Sequence, residues 1–182
     1  MYPKELAKTL AENIAKAVRP YLERYKTITT EVGGTSREGL AALDGLTKGI
    51  IEASNNVVMD VVRTYGLPKV FIYAVPVINV ETETYILTYN LFTEGGWQLA
   101  NITITIPLRD PNSSSIVVTA FGRWKVYLYS IYPFTDERQQ DELSLEEYTR
   151  AVKRAAKDMK VLGAGGSKEA YDLMRKRRKR RQ

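Results

Sequence analysis

The 182-residue chain contains neither cysteine nor histidine. The first absence excludes disulfides, thiolate zinc sites and thiol nucleophiles. The second excludes imidazole bases, His-dependent triads and every His-containing metal site. Missing cysteines leave the redox compartment open, because a cytosolic chain and a disulfide-free extracellular one look alike in this respect. Apolar runs are short as well. None approaches the 18 residues of a membrane span, and Tyr2 to Tyr25 carries charges throughout, so neither a spanning helix nor a signal peptide is expected. What is present is an ordinary globular balance of 44% hydrophobic and 26% charged residues. A chain of this length buries about 70% of its unfolded surface, which is enough for a genuine core.

Positive charge is distributed unevenly. Seven of the last eight residues are cationic: Arg175, Lys176, Arg177, Arg178, Lys179, Arg180 and Arg181, followed by Gln182. The whole net charge is +6, so this arm carries all of it and the body is close to neutral. A block of like charges repels itself, gains little from a core and serves as an attachment segment for a polyanion. Lys153, Arg154, Lys157, Lys160 and Lys168 extend the arm into one cationic surface if the last two helices share a face; for the first four, a solvated helix face is the ordinary reading.

Hydrophobic periodicity divides the chain into helices, strands and helices again. Leu6, Leu10, Ile14, Val18, Leu22 and Tyr25 fall three or four apart and predict a helix, which Pro20 is expected to kink or break. Gly33-Gly34 reads as a turn, and Thr35 with Glu38 has capping-box spacing for a second helix running to Gly66. Gly39, Gly45 and Gly49 inside it read as close helix packing, with a hinge as the alternative. Val70–Val80, Thr82–Phe92, Trp97–Leu108 and Ile116–Tyr132 are rich in β-branched and aromatic residues and predict strands, the last one long and bent or bulged at Gly122. Short connections, including Glu94-Gly95-Gly96, favour an antiparallel meander. Ser144 and Glu147 cap a helix expected to run past Met159 to the glycines at 163–166, and Ser167 caps a last helix leading into the arm. The expectation is an α+β fold with N-terminal helices, a central antiparallel sheet of four to five strands and C-terminal helices. Residues 1–162 form the domain, and 163–182 supply a glycine-rich hinge, a short helix and the basic arm.

Little catalytic chemistry fits these residues. Gly163 to Lys168 has the glycines of a phosphate loop, but Ser167 precedes Lys168 where the loop needs Gly-Lys-Ser/Thr, and a helix is expected upstream where the loop needs a strand. No Gly-x-Ser-x-Gly elbow or Ser-x-x-Lys pair is present. Asp136, Glu137, Asp141, Glu142, Glu146 and Glu147 form an acidic segment. It reads as solvated loop and helix first turn, or as a dock for a basic tail, or as a Mg²⁺ site for phosphodiester cleavage. A restriction-type nuclease needs an Asp and a Glu-x-Lys at adjacent strand ends; the turns offer Glu81, Glu83 and Asp110, but Arg123 stands where that Glu belongs. Tyr73, Tyr85, Tyr89, Tyr127, Tyr129 and Tyr132 fall in strand runs, where core packing, a protein interface and base stacking compete. Tyr127 and Tyr129 share a face with Arg123 and Lys125. No RNA-recognition consensus is legible.

The tail from Arg175 to Arg181 resembles the arginine-rich arms of viral capsid and nucleocapsid proteins, and also the extensions of ribosomal proteins. The resemblance implies a non-enzymatic, sequence-independent nucleic-acid-binding structural protein that needs no cofactor, associates with its own copies and resides in a virion or an intracellular nucleoprotein complex. A large, nearly neutral body favours the virion reading, since ribosomal proteins are usually basic throughout. The alternatives are a carboxylate- and Mg²⁺-dependent nuclease or its inactive relative, a ribosome-associated protein, and a peripheral protein whose polybasic tail meets anionic lipid.

Overall fold

A computed structural model describes residues 2–67, 69–157, 161–163, 171, 172, 174–176, 179 and 180. Two long helices come first, α1 (Pro3–Val32) and α2 (Arg37–Thr64). The six apolar positions of the α1 stripe are all buried, and so the periodicity locates the packed face. Pro20 lies inside one continuous helix, so of the expected kink or break, the break into two helices does not occur. Val18 and Leu22, both nearly inaccessible, anchor the chain on either side of the missing N–H. The α2 cap is one residue later than expected. Ser36, not Thr35, accepts the Gly39 N–H at 2.9 Å, while Glu38 occupies the first turn.

Then follow β1 (Val70–Asn79), β2 (Thr84–Thr93), β3 (Gln98–Pro107), β4 (Ser115–Phe121), β5 (Lys125–Tyr132), β6 (Glu137–Ser144), helix α3 (Leu145–Lys157) and a three-residue β7 (Val161–Gly163). The sheet order is β6-β5-β4-β3-β2-β1-β7, with every pairing antiparallel. It is a plain meander with one short strand added at the β1 edge. The expected four to five strands become six long ones for two reasons. Gly122 does not bulge a single strand; its N–H donates to the Lys125 carbonyl at 2.8 Å, and this turn separates β4 from β5. The acidic segment supplies β6, every residue of which is exposed or half-buried, so it has no apolar alternation to betray it. The helix expected to reach Met159 is described only to Lys157, and Val161–Gly163 is strand instead of helix end. Met159, residues 164–166 and Ser167 lie outside the described residues.

Register puts one residue set on each face. Tyr85, Leu87, Tyr89 and Leu91 of β2 face the helices with Ile102, Ile104 and Ile106 of β3 and Ile116 and Val118 of β4. Helix α1 lies over β4 and β5, and α2 packs on α1 with its Thr47 hydroxyl 2.6 Å from that of Tyr85 over β2. On the opposite face α3 abuts β5 and β6, and Tyr148 meets Phe121 edge-on at 5.5 Å.

Three phenols lie deep in this core. Burial shifts the ionisation of Tyr25 and Tyr89 to higher pH, and pushes that of Tyr85 up to about 12 against the opposing hydrogen bond from Thr47. A phenol that ionises later in the folded than in the unfolded chain contributes stability that is complete below about pH 10 and is lost as pH rises through the folded values. Melting temperature should therefore fall steadily above about pH 10; a flat profile to about pH 12 would contradict this burial. The Tyr25 hydroxyl has no hydrogen-bond partner among the described residues. Tyr25→Phe is accordingly expected to leave stability unchanged or raise it by about 1 kcal/mol in urea titration, since it removes a desolvated polar atom and keeps the ring.

Candidate nucleic-acid interface

Four arm residues are described, Arg175, Lys176, Lys179 and Arg180, and all are exposed on helical backbone. None of them makes an ion pair to a described carboxylate. Just before them, Met174 is fully buried in the core and Tyr171 packs against it, with the Arg37 guanidinium 6.0 Å over the Tyr171 ring. The apolar residues thus root the arm beside the start of α2, and the charged ones leave the body. Arg177, Arg178, Arg181, Lys160 and Lys168 lie outside the described residues.

Lys153 and Arg154 are exposed on α3, and Lys157 is its last residue. With Arg150 they stand at i, i+3, i+4 and i+7, a stripe about 100° wide on a helix of 3.6 residues per turn. Leu145, Tyr148 and Val152 occupy the other side. Arg150 belongs to this stripe and was absent from the sequence reading, although the spacing was there to find it; its side chain lies 3.7 Å from Glu146. Three residues separate Lys157 from Val161, which pairs with Asn79 at the end of β1. The stripe therefore ends within about 14 Å of β7, on the way back to β1.

Truncation separates anchor from arm. Removing residues 175–182 is expected to leave the unfolding midpoint within about 0.5 kcal/mol of the full chain. Removing residues 171–182 also takes away Met174 and should cost about 2 kcal/mol. Equal melts for the two truncations would mean that Met174 does not hold the root.

Part of the acidic segment, Asp136, Glu142 and Glu146, is engaged in ion pairs. Arg138 grips Glu12 of α1 through both carboxylate oxygens, at 2.7 and 3.0 Å, and the Tyr129 hydroxyl donates to the same carboxylate at 2.8 Å. The Arg138 hydrogen bond holds the Glu12 carboxyl below its usual range, against the opposing effect of burial. Asp136 meets Arg19 at 3.5 Å, and Glu142 meets Lys125 at 3.0 Å. Glu83 pairs with Arg109 and Asp110 accepts from Ser113. Among the described residues no three acidic side chains gather where a metal ion would be held. The carboxylates act as ties between β6, α1 and the loops.

Of the strand tyrosines, Tyr85 and Tyr89 are fully buried and Tyr129 nearly so, on the helix face. Tyr73 is the exposed one, at 58%. Strand β7, whose last residue is Gly163, stands where a helix was expected ahead of the phosphate-loop-like run, so only the residue order, Ser167 before Lys168, stands against that motif. No described helix is long and apolar enough to cross a membrane. Comparison with protein-family models, with curated proteins and with solved structures finds no match for this chain.

Proposed function

We propose that this chain is a non-enzymatic nucleic-acid-binding structural protein, a virion nucleocapsid or capsid protein in type, whose C-terminal arm neutralises phosphate while the α+β body makes protein contacts. The supporting observation is the concentration of exposed charge in the arm: seven of its eight residues are cationic, and the four that are described, Arg175, Lys176, Lys179 and Arg180, are exposed and make no ion pair among the described residues. Lys or Arg that neutralises phosphate releases condensed counterions, which favours binding without base contact or catalytic group. The nuclease alternative gains nothing from carboxylates spread over separate ion pairs.

The test combines binding and turnover. Full-length protein is expected to retard both single and duplex strands of any sequence, the chain lacking 175–182 to bind both far more weakly at about 0.15 M salt, and neither protein to release products with Mg²⁺ or Mn²⁺. Cleavage abolished by replacing one carboxylate would replace this reading with the nuclease.

A further inference from the structure

The sheet face opposite the long helices carries a second set of features. Strands β1 to β4 contain no charged residue at all. On the β1–β3 part of this face, Phe71 stands directly opposite Phe92, and Tyr73 meets the Phe92 ring edge-on at 5.8 Å. Phe71 and Tyr73 are 39% and 58% exposed. The Lys69 ammonium lies 5.3 Å over the Phe71 ring. Beside these rings runs a ladder of amides: Gln98 Nε2 donates to Asn90 Oδ1 at 2.8 Å, Asn101 Nδ2 donates to the same oxygen at 3.1 Å, and Thr103 donates to Asn101 Oδ1 at 3.1 Å. The ladder fixes the amide planes. It leaves Asn90 Nδ2 and Gln98 Oε1, one donor and one acceptor, without a partner among the described residues. Trp97, 78% exposed, stands in the hairpin that closes this end of the face.

Exposed rings, a cation beside them and oriented amides are what unstacked bases require. Every base has a π-face to stack and an edge to hydrogen-bond, and its phosphate meets the cation. A lipid surface or a subunit core would have to desolvate these fixed polar amides at the hairpin end of the face. We infer that the β1–β3 face is a base-stacking platform for single-stranded nucleic acid, with Tyr73 and Phe71 as the stacking rings and Asn90 and Gln98 contacting base edges. This rests on the arm reading above and adds to it: the arm holds phosphate and the platform holds bases, so single strands are the preferred ligand.

The experiment measures binding of a 12-nucleotide oligouridine and of an abasic strand of equal length and charge, by fluorescence anisotropy. Four proteins are compared: full chain, Tyr73→Ala, Tyr73→Trp and the chain lacking 175–182. The oligouridine should bind about 10- to 100-fold more tightly than the abasic strand. Tyr73→Ala should erase that ratio without altering the salt dependence, and Tyr73→Trp should restore it. The arm deletion should weaken both strands and preserve the ratio. Equal binding of the two strands, or an unchanged ratio in Tyr73→Ala, would overturn the platform while leaving the arm reading intact. Binding of neither strand would overturn both. The platform also falls if Tyr73→Ala lowers the sedimentation mass, or abolishes capture on vesicles of about 30% anionic lipid, with the ratio unmoved; the face would then be a subunit or a lipid contact.

Discussion

Gly34→Ala unfolds this protein or costs on the order of 4 kcal/mol, the largest single-residue effect expected outside the hydrophobic core. A β-carbon at Gly34 would lie 1.6 Å from the Leu108 carbonyl oxygen and 2.6 Å from its carbon. Both are backbone atoms and cannot swing aside as a side-chain tip would. Leu108 is itself held, because its N–H donates to the Glu83 carbonyl at 2.9 Å. The α1–α2 turn therefore sits directly on the end of β3, and this contact sets how the helical layer meets the sheet. Gly45→Ala is the control. It lies in the same helix layer with nothing within 4 Å of the new carbon, so it should stabilise by about 1 kcal/mol through helix propensity. Urea titration of the two variants measures both effects, and a Gly34→Ala protein as stable as the parent would mean that the turn does not touch β3.

Glutamine at Arg177, Arg178, Arg180 and Arg181 is expected to lower affinity for duplex DNA by about 10³- to 10⁴-fold at 0.1 M salt. Each phosphate contact contributes about 0.9 to the log–log salt slope, so four lost contacts amount to roughly 3.6 decades when salt is tenfold below 1 M. The same replacement should leave the urea midpoint of the body unaltered, because Arg180 and the described neighbours Arg175, Lys176 and Lys179 are exposed, outside the core that Met174 enters. A drop in affinity accompanied by loss of the cooperative melt would point to a structural arm instead.

How far the sequence foretells this molecule depends on whether a residue has one buried face. The α1 stripe and the alternation of Ile102, Ile104 and Ile106 were legible because one side of each element meets the core. Strand β6 was not: both its faces are open to solvent or charge, so Glu137 to Glu142 reads as loop until Arg138 is seen reaching Glu12. Gly122 was recognised as special, but its turn to Lys125 depends on a backbone hydrogen bond that composition does not encode. Glycines divided in the same way. Gly39 and Gly49 are packing positions, with a β-carbon 2.2 Å from the Gly33 carbonyl oxygen and 2.4 Å from the Tyr21 ring, and Gly45 is open; spacing alone gives all three the same appearance. At the candidate interface the arm was legible from charge density. The buried root at Met174 and the sheet-face rings were not, because register decides that Tyr73 is exposed while Tyr85 and Tyr89 are buried.

The most direct test of the arm is the salt dependence of duplex binding, measured for the full chain and for the chain lacking 175–182 between about 50 and 200 mM monovalent salt. The full chain should show a log–log slope of about −4 to −6, from roughly five to seven phosphates at about 0.9 each, with the same slope on unrelated sequences. The truncated chain should show a slope near zero. A truncated chain that keeps the full slope would place the phosphate contacts on the body, on Arg150, Lys153, Arg154 and Lys157, and would contradict an arm-borne function.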